Sequence, residues 1–283
     1  MIITSIDVIG SNDNLIATLS FRDPASQNPY IAKAVVGLDA DEIVARFYGI
    51  SHVSKSKYYS LSLEARDVIL RIALNPQFAI QSYSELRDHL YKGIAASRTG
   101  KVELRFNNLD VPVAHVSGFI KKFEAPHSTE TPEVQLTIEC DDPMLQGFQL
   151  IEPIAQPTQL STATITDDLS TAPHGFKFDI TFTGPSPEFV LQDATDPEWT
   201  FTVTPGTIGA VTGFQTFDQV YFSSESGNKY LYLIRGGVTT HLVDKIKPDS
   251  IWPILFPGDN VFDSADEEFT WDHVSYYPAY WGV

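Results

Sequence analysis

Short runs in which apolar and polar residues alternate constrain this chain more than any other feature of its sequence. Clear examples are KVELRF at 101–106, VQLTIEC at 134–140 and FKFDITFT at 176–183. Successive side chains of a strand point to opposite faces of a sheet, so alternation with a period of two predicts half-buried strands. Turn-forming pairs such as Asn107-Asn108 and Gly236-Gly237 separate these runs. The pattern therefore predicts a mainly β fold.

Helical periodicity is clear in one stretch, Ser84–Ala96, where Leu86, Leu90 and Ile94 fall on one face. A glycine inside a helix costs about 1 kcal/mol relative to alanine, so we expect this helix to end near Gly93. Residues 60–74 fit both periods, because apolar residues recur there at strand spacing and at helical spacing. Periodicity leaves that stretch open between strand and helix.

Charged and aromatic residues are distributed unevenly. Residues 1–150 carry 14 basic and 18 acidic side chains, net −4, whereas residues 151–283 carry 5 basic and 18 acidic ones, net −13. All four tryptophans lie in the second part. Such a shift indicates a domain boundary, which Pro, Gly and polar residues place near 143–155. We predict an α+β domain of strands and a helix over 1–150 and a β-sandwich over 151–283.

Composition argues against several classes of protein. A net charge of −17 does not favour stable nucleic-acid binding, which requires a basic surface. No apolar run approaches the ~18 residues of a membrane-spanning helix. The first residues lack a secretory-signal pattern, so no membrane insertion is expected and synthesis in the cytoplasm is the default. The one cysteine, Cys140, ends an alternating strand, where inert burial is expected.

Motifs that carry catalysis are missing. The sequence has no G-x-S-x-G, no H-E-x-x-H and no glycine-rich nucleotide loop, and its seven histidines are scattered. Neither an enzyme nor a cofactor is predicted. Two acidic clusters without motif spacing are better interpreted as solvated loops than as a Ca²⁺ site or a glycosidase pair. They are Glu139, Asp141 and Asp142, and Asp263, Asp266, Glu267 and Glu268.

Aromatic residues of the second part offer a binding alternative. On one face of a sandwich they could form a platform on which a sugar ring stacks, as in a carbohydrate-binding module for host attachment. The candidates for sugar binding are Trp199, Tyr232 and Trp271. The competing interpretation is that these residues fill the core, because most aromatic residues here alternate with polar ones.

Two stretches late in the chain narrow the choice. After a pair of strands around Gly227-Asn228, residues 252–260 read W-P-x-L-x-P-G-x-N. Residues 276–282 read Y-x-P-x-Y-W-G. Both patterns resemble the distal tail proteins of long-tailed, siphovirus-like bacteriophages. The first part, which ends in the acidic-Pro step Asp142-Pro143, is similar in layout to the ring-forming domain of that family.

The resemblance implies a structural virion protein at the tail tip, or baseplate. Residues 1–150 would form a homo-oligomeric ring, expected to be a hexamer, between the tail tube protein and the baseplate hub or tail-associated protein. Genome DNA would pass through the ring without stable binding. A galectin-like domain over 151–283 would project outward and carry a receptor-binding protein or fibres. The alternative is a carbohydrate-binding module for host attachment.

Two surfaces are the candidates for ring contacts. One is the helix, with Glu85, Asp88 and His89, and the other is the hairpin turn at Asn107 and Asn108. An ordinary core helix and an ordinary surface turn are equally compatible with these residues.

Overall fold

The computed structural model describes residues 3–21, 28–38, 43–49, 56–63, 65–76, 82–109, 111–125, 133–142, 144–154, 162–194, 199–264 and 269–281. The chain divides into two compact units. Unit 1 comprises Met1–Phe148 and Tyr280–Val283, and unit 2 comprises Gln149–Ala279. Strands dominate both units, so the predicted mainly β fold class is confirmed. The limits of 1–150 and 151–283 for separate domains stay a prediction.

The secondary-structure elements follow one another along the chain. Those that begin in unit 1 are β1 (Ser5–Ile9), β2 (Leu15–Phe21), β3 (Tyr30–Val36), β4 (Ile43–Gly49), β5 (Ser56–Leu63), β6 (Arg66–Leu74), α1 (Tyr83–Ala96), β7 (Val102–Asn108), β8 (Val111–Glu124), β9 (Glu133–Cys140) and β10 (Leu145–Gly147). Those that begin in unit 2 are β11 (Ile151–Ile154), β12 (Thr162–Asp167), β13 (Lys177–Phe182), β14 (Phe189–Asp193), β15 (Thr200–Val203), β16 (Thr207–Ile208), β17 (Val211–Thr212), β18 (Gln219–Ser223), β19 (Tyr230–Arg235), β20 (Val238–His241), a short 3₁₀ helix (Val243–Lys245), β21 (Gly258–Ser264), β22 (Phe269–Tyr276) and β23 (Ala279–Tyr280).

Seven strands of unit 1 close into a barrel. Their order is β8-β7-β1-β2-β3-β6-β9, and β9 pairs again with β8. β8 pairs with β7 over its first part and with β9 over its second. A Cβ on Gly118, between the two parts, would lie 2.4 Å from the carbonyl oxygen of Glu139. Glycine therefore allows β8 to approach β9 closely enough to close the barrel.

Alternate residues of these strands point into one apolar core, as the period-two pattern predicts. In β6, for example, Val68, Leu70 and Ile72 are buried. β10 adds to the open edge of β8, and β23 adds to β10, so the chain returns to unit 1 at Tyr280. Tyr280 packs against the unit 1 core. Arg66 Nη2 donates to the carbonyl oxygen of Trp281 at 2.9 Å.

The stretch that periodicity left open, residues 60–74, contributes to two strands, β5 and β6. β5 contains its first residues and pairs with β4, and β6 contains the rest and pairs with both β3 and β9. The alternating interpretation is therefore the one that holds, because partners on both edges of β6 satisfy its backbone hydrogen bonds as a strand.

The predicted helix is α1. A capping box begins it: the Ser82 hydroxyl accepts from the Glu85 backbone N–H, and Glu85 Oε2 accepts from the Ser82 N–H at 2.7 Å. Leu86, Leu90 and Ile94 are buried against the barrel, as predicted. The expected end near Gly93 is wrong, because α1 continues to Ala96.

Unit 2 is a sandwich of two antiparallel sheets. One has the order β11-β22-β13-β18-β19-β20, and the other has the order β12-β21-β14-β15. Aromatic rings fill the core between them: Phe178 stacks on Phe222 with centroids 4.4 Å apart, and Trp271 meets Phe178 edge to face at 5.2 Å. Such a core stabilises a sandwich because aromatic side chains bury large apolar areas in specific geometries.

The W-P-x-L-x-P-G-x-N pattern forms a turn organised by Asn260. Its Nδ2 donates to the carbonyl oxygens of Phe256, Gly258 and Ile165 at 2.7, 3.0 and 3.3 Å, and its Oδ1 accepts from the Phe256 N–H at 2.7 Å. Leu255 is fully buried in the sandwich core. The motif therefore has a structural role in this fold.

Candidate interaction surfaces

The helix residues predicted as ring contacts share an exposed face of α1. Asp88 lies 3.5 Å from Arg87 Nη2, and Nδ1 of His89 lies 3.1 Å from the Tyr30 hydroxyl. The hydrogen bonds from Ser82 lower the pKa of Glu85. These three side chains remain accessible to a neighbouring molecule. Their role in a ring stays a prediction.

The hairpin residues differ from expectation. Asn107 is only 4% exposed, and its Nδ2 donates to Asp7 Oδ2 at 2.9 Å and to the Ser5 hydroxyl at 3.3 Å. A buried amide with these partners stabilises the sheet and cannot contact a neighbour, so the expectation for Asn107 is corrected. Asn108 is half-buried. The accessible group at this tip is Leu109, which is 78% exposed.

A charged cluster lies on the outer face of the barrel, on β7 and β8. His115 Nδ1 lies 3.3 Å from Glu103 Oε1, and Arg105 Nε donates to the same oxygen at 2.5 Å. His115 and Arg105 hold the pKa of Glu103 at about 2, although burial opposes them. The Phe148 ring lies beside both side chains, with its centroid 4.6 Å from that of the His115 imidazole and 5.8 Å from the Arg105 guanidinium. Sequence reasoning missed this cluster, which the β7–β8 register assembles by placing Arg105 opposite His115.

The three residues predicted to bind sugar do not form a platform. Trp271 is fully buried in the sandwich core, so its ring cannot stack on a sugar, and that expectation is corrected. Trp199 is half-buried and packs against the same core, with its ring 6.0 Å from that of Phe262. For Trp271 and Trp199, the competing interpretation that these side chains fill the core is the one that holds.

Tyr232, by contrast, belongs to a row of polar and aromatic side chains on the outer face of the six-stranded sheet. The register places His273, Asp179, Tyr221, Tyr232 and His241 opposite one another on successive strands. The Tyr221 and Tyr232 rings stack at 5.0 Å with an interplanar angle of 12°. We call these five residues the tyrosine row.

Burial raises the pKa of Asp179 within this row, and it also raises the pKa of Tyr221. His273 Nε2 lies 3.1 Å from Glu152 Oε1 at the edge of the row. Strand spacing identifies each outward-facing residue, but the pairing register that aligns them cannot be read from the sequence.

The described residues offer little for catalysis. Burial raises the pKa of the Cys140 thiol to about 12, which leaves it unreactive. Within the described ranges, no three His, Cys, Asp or Glu side chains come together in a way that could hold a metal ion. Asp141 of the first acidic cluster is bonded to Lys101 at 2.7 Å. Asp266, Glu267 and Glu268 of the second cluster lie outside the described residues.

None of the helices in the described ranges has the length and apolarity that a membrane crossing requires.

Comparison with known proteins gives a match at the level of the fold. The sequence matches no family model and, at a significant level, no curated protein. The structure is similar to the crystal structure of the Dit (gp 19.1) protein of phage SPP1, described as a paradigm of the hub adsorption apparatus in phages that infect Gram-positive bacteria. The TM-score is 0.59 at 14% identity, over 97% of this chain and 98% of the SPP1 chain. The chain has the fold of a phage Dit protein.

The resemblance to distal tail proteins is thus confirmed for the Dit fold. Two structures of the phage p2 baseplate in its activated conformation, with Sr and with Ca, also match over 94% and 97% of this chain. Their TM-scores are 0.37 and 0.39 at 8% identity, and these likenesses add nothing to the argument.

Proposed function

We propose that this chain is a structural, non-enzymatic component of a phage tail tip or baseplate. The observation that carries the proposal is the Dit fold. The similarity covers nearly the whole of this chain and of the SPP1 Dit chain, not just one shared domain. The sequence motifs agree, since both lie in the parts of the chain that shape turns and strands instead of presenting reactive groups. The protein would be made in the cytoplasm of the bacterial host and be located in the virion.

In this role unit 1 builds a ring, which we propose is a hexamer. A ring of identical subunits requires a head-to-tail interface that closes on itself. The exposed face of α1 and the β7–β8 hairpin tip offer accessible side chains for it. One side of the ring would meet the tail tube protein and the other the baseplate hub or tail-associated protein. Unit 2 would carry a receptor-binding protein or fibres.

The charge of the chain suits a channel through which genome DNA passes without binding. The net charge of −17 does not attract phosphates, and residues 1–150 contribute −4 of it. Stable DNA binding would require a basic surface.

The native mass of the purified chain tests the ring. Six copies of 31.4 kDa give about 188 kDa, expected by light scattering coupled to size exclusion, with an open ring by electron microscopy. Asp88→Arg and Leu109→Ser should lower the hexamer fraction at equal concentration. Asp244→Arg, an exposed acid in unit 2, is the matched control. A monomer that is also missing from purified tails would contradict the proposal.

A second candidate function, glycan binding for host attachment, is favoured by the tyrosine row. Phenol, imidazole and carboxylate groups arranged in line could donate to and accept from sugar hydroxyls. A glycan array tests it, followed by titration calorimetry on any ligand found. Tyr232→Ala should abolish binding, whereas Tyr91→Ala, an exposed tyrosine of unit 1, should not. An array with no ligand above background would contradict this candidate.

A further inference from the structure

Phe217 lies in a turn of unit 2 at a position where a phenylalanine is unfavourable, because of both its backbone conformation and its exposure to water. Phe217 is 82% exposed and has a φ of 70°. The Asp218 N–H donates to the Gln215 carbonyl oxygen at 3.0 Å, so Phe217 is the third residue of a β-turn. A positive φ at that position favours Gly or Asn, and a bulky side chain there is an outlier. Folding alone gives no reason for this residue.

Hydrogen bonds and an ion pair fix the conformation of this turn. Asp218 is 1% exposed and accepts from Arg235 Nε at 2.9 Å and from Nη2 at 2.5 Å. Arg235 Nη2 also donates to the Gly213 carbonyl oxygen at 2.7 Å. The Phe217 N–H donates to the Phe182 carbonyl oxygen at 2.7 Å. A partly buried bidentate ion pair of this kind fixes geometry as well as adding energy. Phe217 is therefore presented on a pre-organised scaffold.

The second support of the turn is aromatic. Phe214 is buried and stacks on Phe182, with ring centroids 4.4 Å apart and an interplanar angle of 6°. Phe214 also exchanges two backbone hydrogen bonds with Ser186, at 2.7 and 3.1 Å. Phe214, which directly precedes the turn, thus anchors it in the core, whereas Phe217 within the turn is exposed to solvent.

The chain segment that leads to Phe217 carries no charge, although the unit is strongly acidic, and the charged residue that follows it, Asp218, is paired with Arg235. Residues 200–217 contain no Asp, Glu, Lys, Arg or His, although residues 151–283 carry a net charge of −13. Val238, opposite Arg235 in the β19–β20 pair, is 66% exposed, and Val211 on β17 is 39% exposed. Exposed aromatic and aliphatic side chains on a segment without unpaired charges are typical of the centre of a protein–protein interface.

We infer that Phe217 is the anchor by which unit 2 binds a protein partner. The complementary surface would be an apolar pocket for the phenyl ring with a basic rim that matches the acidic remainder of unit 2. A second copy of this chain is the less suitable occupant, because two units of net charge −13 repel each other. The inference rests on the proposed function, so the partner would be a tail protein of the same phage.

Virions that carry Phe217→Asn test the inference. Asn tolerates a positive φ, so the thermal midpoint of the purified variant should equal or exceed that of the wild type. Quantitative mass spectrometry of purified virions should show this protein at its wild-type copy number and one other tail protein reduced at least tenfold. Phe256→Asn is the matched control, since Phe256 is exposed in the same unit and its φ is not positive; it should leave the composition unchanged.

Each remaining outcome overturns a specific part of the argument. If Phe217→Asn virions keep the wild-type composition and infectivity, the anchor is refuted. If the variant changes only the native mass of the purified protein, the occupant is a second copy and the inference is again overturned. Absence of the protein from wild-type virions would refute the proposed function itself, which distinguishes the two failures.

Discussion

At the scale of single residues, two polar side chains each contact several partners. Asn260 bonds to three carbonyl oxygens and one N–H, and Glu103 is flanked by two basic groups. A turn at Pro257-Gly258 accords with the preference of both residue types for turns, but the contacts of Asn260 became visible only in the structure. The burial of Trp271 could not be decided from sequence, because a strand residue that faces the core and one that faces a ligand have the same period.

Replacing Asn260 by Ala should destabilise unit 2 by about 1–3 kcal/mol, the cost of leaving buried backbone groups without partners. The free energy of unfolding, from chemical denaturation followed by tryptophan fluorescence, measures it. Asn228→Ala removes an exposed amide whose contact with Glu225 is 3.3 Å long, and should cost less than ~0.5 kcal/mol. Equal costs for the two variants would contradict the role assigned to Asn260.

Glu103 predicts a specific acid dependence. Its folded pKa of about 2 lies below the unfolded value of 4.5, so its carboxylate stabilises unit 1 above pH 4.5 and this contribution is lost as the pH falls towards 2. The difference in unfolding free energy between wild type and Glu103→Gln should be about 1–2 kcal/mol at pH 7, after allowance for solvent screening.

That difference should shrink steadily between pH 4.5 and pH 2 in denaturation curves measured at several pH values. Glu124→Gln, which alters an exposed ion pair with Lys122, is the control and should change stability by less than ~0.5 kcal/mol throughout. A Glu103→Gln difference that does not vary with pH would show that the cluster does not depend on the charge of the carboxylate.

At the scale of elements, the sequence predicted which segments form strands better than it predicted where they pair. α1 was predicted from three apolar positions. The strand assignment of residues 60–74, by contrast, depends on the pairing of β6 with β3 and β9, which only the structure shows. The predicted helix end at Gly93 was wrong because glycine is required there by packing and does not mark a terminus. A Cβ at this position would lie 2.6 Å from Cγ2 of Ile16. Helix propensity describes an isolated helix, whereas this glycine is explained by the packing of β2 against α1.

Gly93→Ala should therefore destabilise the protein, although alanine is the better helix former by about 1 kcal/mol. Overpacking against Ile16 should cost about 1–3 kcal/mol, measured as a lower free energy of unfolding. In an Ile16→Ala background the same substitution should become neutral or stabilising, because the clashing methyl groups are gone. If Gly93→Ala stabilises the wild-type chain, the close approach is not a constraint.

At the scale of the whole molecule, unit 1 is discontinuous in sequence. The shift in charge predicted a boundary near residue 150, close to Phe148, where unit 1 is interrupted. The return of the chain at Tyr280 was not predicted, because composition reports on local segments and not on which distant strands pair. The Y-x-P-x-Y-W-G motif is divided accordingly: Tyr276 is buried in unit 2, and Tyr280 packs in unit 1.

Removal of Tyr280–Val283 should lower the stability of unit 1 by several kcal/mol. It deletes the β23–β10 pairing at Tyr280 and the carbonyl oxygen to which the buried Arg66 donates, and a lost partner of a buried charged group is costly. Scanning calorimetry should show an earlier transition for unit 1. The transition of unit 2 provides the internal control and should be unchanged. A single unshifted transition would contradict the prediction.

The same return of the chain orders events during protein synthesis. The ribosome releases Tyr280 only after the whole of unit 2, so the sheet of unit 1 lacks its outermost strand until unit 2 has been synthesised. A chain whose translation stops early leaves β10 without that neighbour and Arg66 without one of its acceptors. The seven strands of the barrel all precede unit 2 in the chain, so the barrel can close first, whereas the β10–β23 pairing and the bond from Arg66 to Trp281 can form only once unit 2 has been synthesised.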